Sequence, residues 1–209
     1  MIMMQIAFNK TKRIEPPKFI VVHTTGNYRA GADAHAHYKY WNSGSVGQSA
    51  DFVVDDKRAI QINDYEKYYT WHCGDGKGKY GITNGNSIGI EICVNADGNF
   101  EKAVDNAIHL IKNLKKSTGI QRIVRHYDAS RKKCPAEFAK NNWADWEVFL
   151  SRIDDFPLPE LESVNDIVWE LSHRGIITDK DLWLKKLKGD TNVYWLARKC
   201  VNYIRGNCK

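Results

Sequence analysis

Short apolar runs alternate with amphipathic segments over the first part of the chain. The run "FIVVH" (19–23) is typical of a buried strand, and "RIVRH" (122–126) predicts a second strand that also ends in a histidine. The segment "ADFVVDDKRAIQI" predicts two short strands around a polar turn, which indicates a hairpin. In "NSIGIEICVN", alternation predicts a strand with two different faces. One face carries Ile88, Ile90 and Ile92, and the other carries Gly89, Glu91 and Cys93.

Three further segments of this part predict helices. "AGADAHAHYKYWNSG" lies between Gly31 and Gly44, and "NFEKAVDNAIHLIKNLKKSTG" places its apolar residues on one stripe and ends at Gly119. "NWADWEVFLSRI" predicts a helix that closes the domain. Because strands alternate with helices, we expect an α/β fold with a mixed central sheet flanked by helices.

The last part of the chain has a different pattern. "DDFPLPELES" (154–163) combines prolines with acidic residues and predicts a linker. Three short amphipathic helices are expected beyond it: one between Ser163 and Gly175, one over 179–188, and one over about 191–205 with Leu196 and Cys200 facing inward. We therefore expect a domain of residues 1–155 and a small three-helix module of residues 163–209.

Composition narrows the function classes only moderately. The net charge of +6 favours approach to polyanions, either nucleic acid or an anionic wall polymer. No run approaches the roughly 20 apolar residues of a membrane helix, so no membrane insertion is expected. The N-terminal apolar segment is too short for a signal peptide, which predicts synthesis in the cytoplasm. The 5 cysteines are scattered, and a disulfide scaffold is not expected.

The two histidines at strand ends raise the question of a metal site. If their strands are neighbours in the sheet, His23 and His126 converge, and the loop over 127–133 returns Cys134 to the same point. Two imidazoles and one thiolate then supply the three protein ligands of a catalytic zinc ion. A histidine at a strand end is more often a hydrogen-bonded core or surface residue, so the spacing alone leaves both interpretations open.

Charged residues near these positions strengthen the metal hypothesis. Glu91 interrupts an apolar strand, where burying a carboxylate is costly, unless the strand has one wet face. Beside a metal, such a carboxylate is typical of a general base. Lys132 is placed to stabilise a developing oxyanion, or is a solvated loop charge. The glycine-rich "WHCGDG" (71–76) suits the wall of a substrate groove as well as a turn.

Five motifs together resemble a known family. "FIVVHTTG", "ADFVVDD", "WHCGDG", "NSIGIEIC" and "RHYDASRKKCPAEF" occur in the order found in type-2 N-acetylmuramoyl-L-alanine amidases, over about residues 18–150. The resemblance implies a peptidoglycan recognition protein-like fold and hydrolysis of the amide between N-acetylmuramic acid and L-alanine in peptidoglycan. It also implies roles for individual residues: zinc ligands at His23, His126 and Cys134, a general base at Glu91, transition-state stabilisation by Lys132, and contacts to glycan or peptide from Tyr28, Trp71 and His72.

The tail and one motif qualify this resemblance. The tail resembles modules of clostridial phage and prophage amidases, which implies a lytic endolysin made in the host cytoplasm, released onto the wall and bound to it through residues 163–209. Self-association through these helices is a further expectation. The hairpin strand departs from the family, because Asp51 stands where many members have a histidine.

Four alternatives stay open at this point. The chain could be a bacterial autolysin, or a non-hydrolytic peptidoglycan-binding protein of the same fold. A purely structural zinc site with Cys73 or Cys93 as fourth ligand is a third. Nucleic-acid binding is the weakest, since the basic residues form no dense stripe and Glu91 has no purpose in it.

Overall fold

The computed structural model describes residues 2–153, 164–173, 176–190, 193–194, 196–198 and 200. The chain divides into two compact units, Met1–Glu137 and Phe138–Lys209. This division falls before the helix that we expected to close the first domain, and it groups that helix with the second unit. The predicted linker over 154–163 lies outside the described residues, so the predicted boundary at residue 155 stays a prediction.

A six-stranded mixed sheet forms the centre of the first unit. The strands of this unit are β1 (Ile2–Met3), β2 (Lys10–Lys12), β3 (Phe19–Thr24), β4 (Phe52–Val54), β5 (Ala59–Gln61), β6 (Tyr68–Thr70), β7 (Ser87–Ile92) and β8 (Arg122–Arg125). The strand order of the sheet is β1-β5-β4-β7-β3-β8, and a separate antiparallel ribbon pairs β2 with β6. Within the sheet only the β4–β5 pair is antiparallel, which confirms the predicted hairpin.

Strand β3 lies next to the edge strand β8 of this sheet, and all of its residues are buried. It pairs in parallel with β7 on one side and with β8 on the other, so that His23 lies opposite Glu91 and Val22 opposite Arg125. The prediction that the two histidine-tipped strands are neighbours is confirmed. Because parallel strands present their carboxyl ends at one edge, the chemistry of all three strands meets there.

Three helices accompany the sheet: α1 (Ala34–Trp41), α2 (Phe100–Thr118) and the short α3 (His126–Ser130). The Asp33 side chain accepts a hydrogen bond from the backbone N–H of Ala36 and thereby begins α1. Helix α2 ends at Gly119, whose φ of 75° is the left-handed conformation that glycine adopts without strain. The predicted apolar stripe of α2 is buried throughout: Ala103, Ala107, Leu110, Ile111 and Leu114.

The second unit is helical in its described part, with α4 (Ala144–Ile153), α5 (Val164–His173) and α6 (Lys180–Gly189). A 3₁₀ segment, Ala136–Trp143, precedes α4. The described residues between 193 and 200 are also helical. The apolar cluster of this unit contains Ile167, Val168, Leu171, Ile177, Leu187 and Ala197.

One detail of the predicted third helix is wrong. Leu196 is 65% exposed and Cys200 is also exposed, whereas both were expected to face inward. Ala197 is buried, so the inward face of this helix is narrower than the sequence pattern indicated. No helix in the described part of the chain is both long enough and apolar enough to span a membrane.

Candidate metal centre

Two of the predicted site residues are placed by strand register alone. His23 and Glu91 are Cα partners on β3 and β7, and residues paired in this way point to the same face of the sheet. Nδ1 of His23 lies 3.9 Å from Oε1 of Glu91. His126 directly follows β8, and its ring centroid lies 4.6 Å from that of His23.

A short closed loop returns Cys134 to these histidines. The backbone N–H of Tyr127 donates to the carbonyl of Cys134 over 3.0 Å, and Arg131 ends α3 in a left-handed conformation with φ of 70°. The Cys134 thiol thereby lies 3.8 Å from Nδ1 of His23, although 111 residues separate them along the chain. The expected return of the cysteine through the loop over 127–133 is confirmed, with one turn of helix inside that loop.

The donor set fits a zinc ion. One ligand atom from each of His23, His126 and Cys134 lies within 4.8 Å of the others, and all three residues are buried. Tetrahedral bonds of about 2.0 Å to nitrogen and about 2.3 Å to sulfur separate the two donors by about 3.5 Å. The observed 3.8 Å between His23 and Cys134 is close to that separation.

Burial keeps both imidazoles neutral, which is the form that binds a metal. It lowers the pKa of His23 well below its usual range, and the neighbouring His72 and His126 lower it further. It also lowers the pKa of His126, against the opposing effect of Asp75. Burial raises the pKa of the Cys134 thiol to about 12, so that a cation is needed to favour the thiolate.

Glu91 is a half-buried carboxylate, and one of its two oxygen atoms is buried without a hydrogen-bond partner. Its Oε2 atom has no hydrogen-bond partner within the described structure. Burial raises the pKa of Glu91 to about 8, and Glu137 raises it further while Lys132 lowers it. A divalent cation next to His23 would favour the ionised form. The carboxylate therefore faces the donor set with an oxygen free to take a proton.

Sequence reasoning missed the second contacts of the two histidines. Nε2 of His23 lies 3.0 Å from Nδ1 of His72, and Nε2 of His126 lies 2.7 Å from Oδ1 of Asp75. Asp75 lies in a 3₁₀ turn, Gly74–Gly76, within the segment for which the sequence predicted a groove wall or a turn and no contact with a histidine. The signal available in the sequence was the carboxylate between two glycines in the same motif as His72.

A cleft of about 600 Å³ opens above the donor set. Lys132 and Trp71 line this cleft, as does His72, although His72 is only 9% exposed. Trp71 donates from Nε1 to the hydroxyl of Thr11 over 3.0 Å. Basic residues that the sequence reasoning did not single out, Arg29 and Lys133, also line it.

Tyr28 lies outside the lining of this cleft as far as the described residues define it. Its side chain is 59% exposed and its hydroxyl donates to Glu137 over 2.5 Å. Contacts of Tyr28, Trp71 and His72 with a substrate stay predictions.

The alternative of a four-ligand structural site finds no support in the described residues. Cys73 packs among Phe19, Val21, Ile82 and Ala129, and its thiol lies 3.8 Å from the hydroxyl of Ser87. Cys93 packs in a separate cluster with Ala34 and Val53. Neither thiol joins the group formed by the two histidines and Cys134.

Comparison with known families places the chain by sequence. Residues 13–137 match the model of the N-acetylmuramoyl-L-alanine amidase family, Amidase_2. The match covers more than half of the chain and includes every strand of the six-stranded sheet except β1, as well as every residue of the candidate centre. The chain belongs to this family.

Individual relatives come from Bacillus. The N-acetylmuramoyl-L-alanine amidase CwlH of Bacillus subtilis is 40% identical over 149 residues, which cover 70% of this chain and 57% of CwlH. XlyA of the same species is 39% identical over 142 residues, covering 66% of this chain and 44% of XlyA. The chain thus spans about half the length of the curated relatives it matches.

Solved structures agree with the expected fold. The catalytic domain of XlyA is 37% identical and has a TM-score of 0.63, over 72% of this chain and 98% of that domain. A mutant endolysin from Bacillus subtilis is 38% identical with a TM-score of 0.65, over 73% of this chain and 99% of its own. The predicted α/β fold with a helix-flanked mixed sheet is confirmed.

Proposed function

We propose that the chain is a zinc-dependent N-acetylmuramoyl-L-alanine amidase that cleaves the amide between the lactyl group of N-acetylmuramic acid and L-alanine in peptidoglycan. The observation that carries this proposal is the convergence of His23, His126 and Cys134 at one edge of the sheet, with the unpartnered carboxylate of Glu91 beside them. Family membership and the amidase names of the relatives support the choice of bond.

In this proposal His23, His126 and Cys134 hold the metal. When bound, zinc supplies Lewis-acid polarisation of the scissile carbonyl and lowers the pKa of the attacking water toward about 7. The remaining steps fall to the side chains of the chain itself.

Glu91 takes a proton from the attacking water as its oxygen bonds to the carbonyl carbon. It then passes that proton to the nitrogen of L-alanine as the carbon–nitrogen bond breaks, leaving a lactyl carboxyl group and a free amine. General bases placed in this way contribute about 10²–10⁴-fold to the rate. The ammonium of Lys132, at the rim of the cleft, stabilises the negative charge that develops on the carbonyl oxygen.

The nature of the products tests the proposal. Purified cell walls or a defined muropeptide are treated with the zinc-loaded chain, and the products are analysed by mass spectrometry. The expected products gain one water and carry a new N-terminal L-alanine. New reducing sugar ends, or uncleaved substrate despite bound zinc, would contradict the proposal. Substrate that is bound but not cleaved would instead favour the alternative of a non-hydrolytic peptidoglycan-binding protein.

The biological setting is part of the proposal. We infer a lytic endolysin of a phage or prophage that reaches the wall after synthesis in the cytoplasm, and the similarity to an endolysin structure supports this. A bacterial autolysin is the alternative, since the curated relatives include N-acetylmuramoyl-L-alanine amidases of Bacillus subtilis. A clostridial origin has no support from the Bacillus relatives reported above.

The helical module of residues 163–209 is proposed to bind the wall. Tethering to an insoluble polymer raises the effective concentration of a catalytic unit near its substrate. A chain ending at residue 156 should cleave soluble muropeptide like the full chain but should sediment less with whole walls. Equal sedimentation of the two would remove the wall-binding role, and self-association can be read from the sedimentation velocity of the full chain.

A further inference from the structure

The segment His72–Gly76 contacts both histidines of the candidate centre. His72 meets Nε2 of His23 over 3.0 Å, and Asp75 meets Nε2 of His126 over 2.7 Å. The outer nitrogen of each ring is therefore engaged by the same five-residue segment. Neither contact has a role in the proposed hydrolysis.

Donor and acceptor counting fixes the protons on the His23 side. The Ser87 hydroxyl donates to the carbonyl of Thr83, which can only accept. Its single hydrogen is then used, so Ser87 must accept from Nε2 of His72, 3.2 Å away. A neutral imidazole carries one N–H, which leaves Nδ1 of His72 as an acceptor. His23 must donate from Nε2 to that acceptor.

The result is that His23 presents a lone pair on Nδ1. That atom is the one that lies 3.8 Å from the Cys134 thiol and 3.9 Å from Glu91. On the other side, the carboxylate of Asp75 can only accept, so Nε2 of His126 carries the proton. Nδ1 of His126 is then also a lone pair available to a metal.

Two glycines allow the segment to approach this closely. A Cβ atom added at Gly89 on β7 would lie 2.6 Å from the ring of His72, and one added at Gly76 would fall on the carbonyl oxygen of Ala129 in α3. The Asn84 side chain holds the start of the segment by accepting from the backbone N–H groups of His72 and Cys73, over 3.0 and 2.7 Å. The segment is thereby fixed between β7 and α3.

We propose that His72 and Asp75 are positioning residues that set the tautomers of the two histidine ligands, His72 through the Ser87–Thr83 chain and Asp75 directly. The inference deepens the proposed function, since it rests on zinc binding at this centre. It gives His72 a role in orienting a ligand, in place of the predicted contact with substrate. Outer hydrogen-bond partners of this kind change metal affinity by about 10–100-fold when removed.

Zinc affinity of full-length variants, measured by competition with a chelator, tests the His72 arm. His72→Phe keeps a ring but removes the acceptor, and it should bind zinc about 10–100-fold more weakly. His72→Asn places an amide oxygen where Nδ1 stood and should restore most of the affinity. Equal affinity of His72→Phe and the unmodified chain would overturn this arm.

Two variants of Asp75 test its role in the same way. Asp75→Ala should weaken zinc binding within the same range, whereas Asp75→Asn retains an acceptor oxygen and should bind nearly as well as the unmodified chain. Asp64→Ala, which removes a half-buried carboxylate that pairs with Lys67, controls for the loss of charge. If Asp64→Ala weakens zinc binding as much as Asp75→Ala, the effect is electrostatic and the positioning role is wrong.

Nitrogen-15 NMR of the histidine rings decides the inference without any variant. In the zinc-free unmodified chain, His23, His72 and His126 should all carry the proton on Nε2. A proton on Nδ1 of either ligand would overturn the inference even if zinc binds. Failure of the unmodified chain to bind zinc would instead contradict the proposed function and leave the tautomer result to be judged by itself.

Discussion

Two buried polar clusters in the first unit differ in how fully their hydrogen bonds are met. In one, Arg13 donates to three backbone carbonyls, those of Tyr65, Gly85 and Ser87. Beside it, Asp51 accepts from the backbone N–H of Gly89 and from Asn63. Both charged side chains have protein partners, although Oδ1 of the neighbouring Asn63 has none within the described residues.

The other cluster, at the carboxyl ends of β3, β7 and β8, is left incomplete. The ligand atoms of His23, His126 and Cys134 lie within 4.8 Å of one another. Oε2 of Glu91 has no hydrogen-bond partner within the described residues. Burying polar groups in this state costs free energy that folding alone does not return. We infer that the first cluster stabilises the fold, whereas the second is arranged to bind a ligand.

Removing the carboxylate of the incomplete cluster should have the largest effect. Glu91→Gln keeps the shape but cannot take a proton, so the rate of muropeptide cleavage should fall by about 10²–10⁴-fold. Zinc content should be unchanged. Glu101→Gln, on the exposed side of α2, is the control and should cleave normally. A fully active Glu91→Gln protein would remove Glu91 from the mechanism.

Removing the hydrogen bonds of Arg13 should lower the stability of the fold without changing the catalytic groups. Arg13→Met leaves three carbonyls without their donor and removes a cation near Asp51, so the free energy of unfolding should fall by about 3–5 kcal/mol. Urea unfolding measures the loss. Lys12→Met removes an exposed charge from the neighbouring position and should cost much less. Similar losses in the two variants would show that the Arg13 contacts contribute little.

The pH dependence of stability tests Asp51 in the same cluster. Burial raises the pKa of Asp51 from 3.8 to about 6. A carboxyl group whose pKa is raised in the folded state favours folding below its unfolded pKa, and that contribution is lost as the pH rises through about 6. Relative to Asp51→Asn, which does not titrate, the unmodified chain should lose about 2 kcal/mol between about pH 4 and about pH 7. A constant difference between the two proteins would contradict the shift.

The smallest effect is expected at Cys93, which belongs to neither cluster. Cys93→Ala removes a buried sulfur that packs against Ala34 and Val53, and should cost about 1 kcal/mol of stability. Zinc stoichiometry, measured by elemental analysis, should not change. Loss of zinc in this variant would revive the structural four-ligand site.

Much of the site could be predicted because its residues lie on strands or at strand ends, where the pairing of the strands determines their positions. The apolar runs that end in His23 and His126, and the carboxylate at Glu91, appear in the pattern of the chain itself, and parallel pairing brings them together. The strands β1, β2 and β6 were missed because two or three residues give too short a periodic signal. The equally short β4 and β5 could be predicted because a polar turn joins them into a hairpin.

The outer hydrogen bonds of the histidines could not be predicted for a different reason. The contact between Asp75 and His126 joins residues 51 positions apart through the exact approach of a turn to a helix. No periodicity encodes that approach, and the glycines that permit it read only as turn residues. Asp51 was noted as a departure from the family, but its burial depends on partners at Asn63 and Gly89.

X-ray absorption at the zinc edge of the loaded full-length chain tests the central claim most directly. The account predicts one zinc ion with two nitrogen donors at about 2.0–2.1 Å, one sulfur at about 2.3 Å and a light-atom donor from outside the chain. Two or more sulfur donors, or a chain that takes up no zinc, would contradict it.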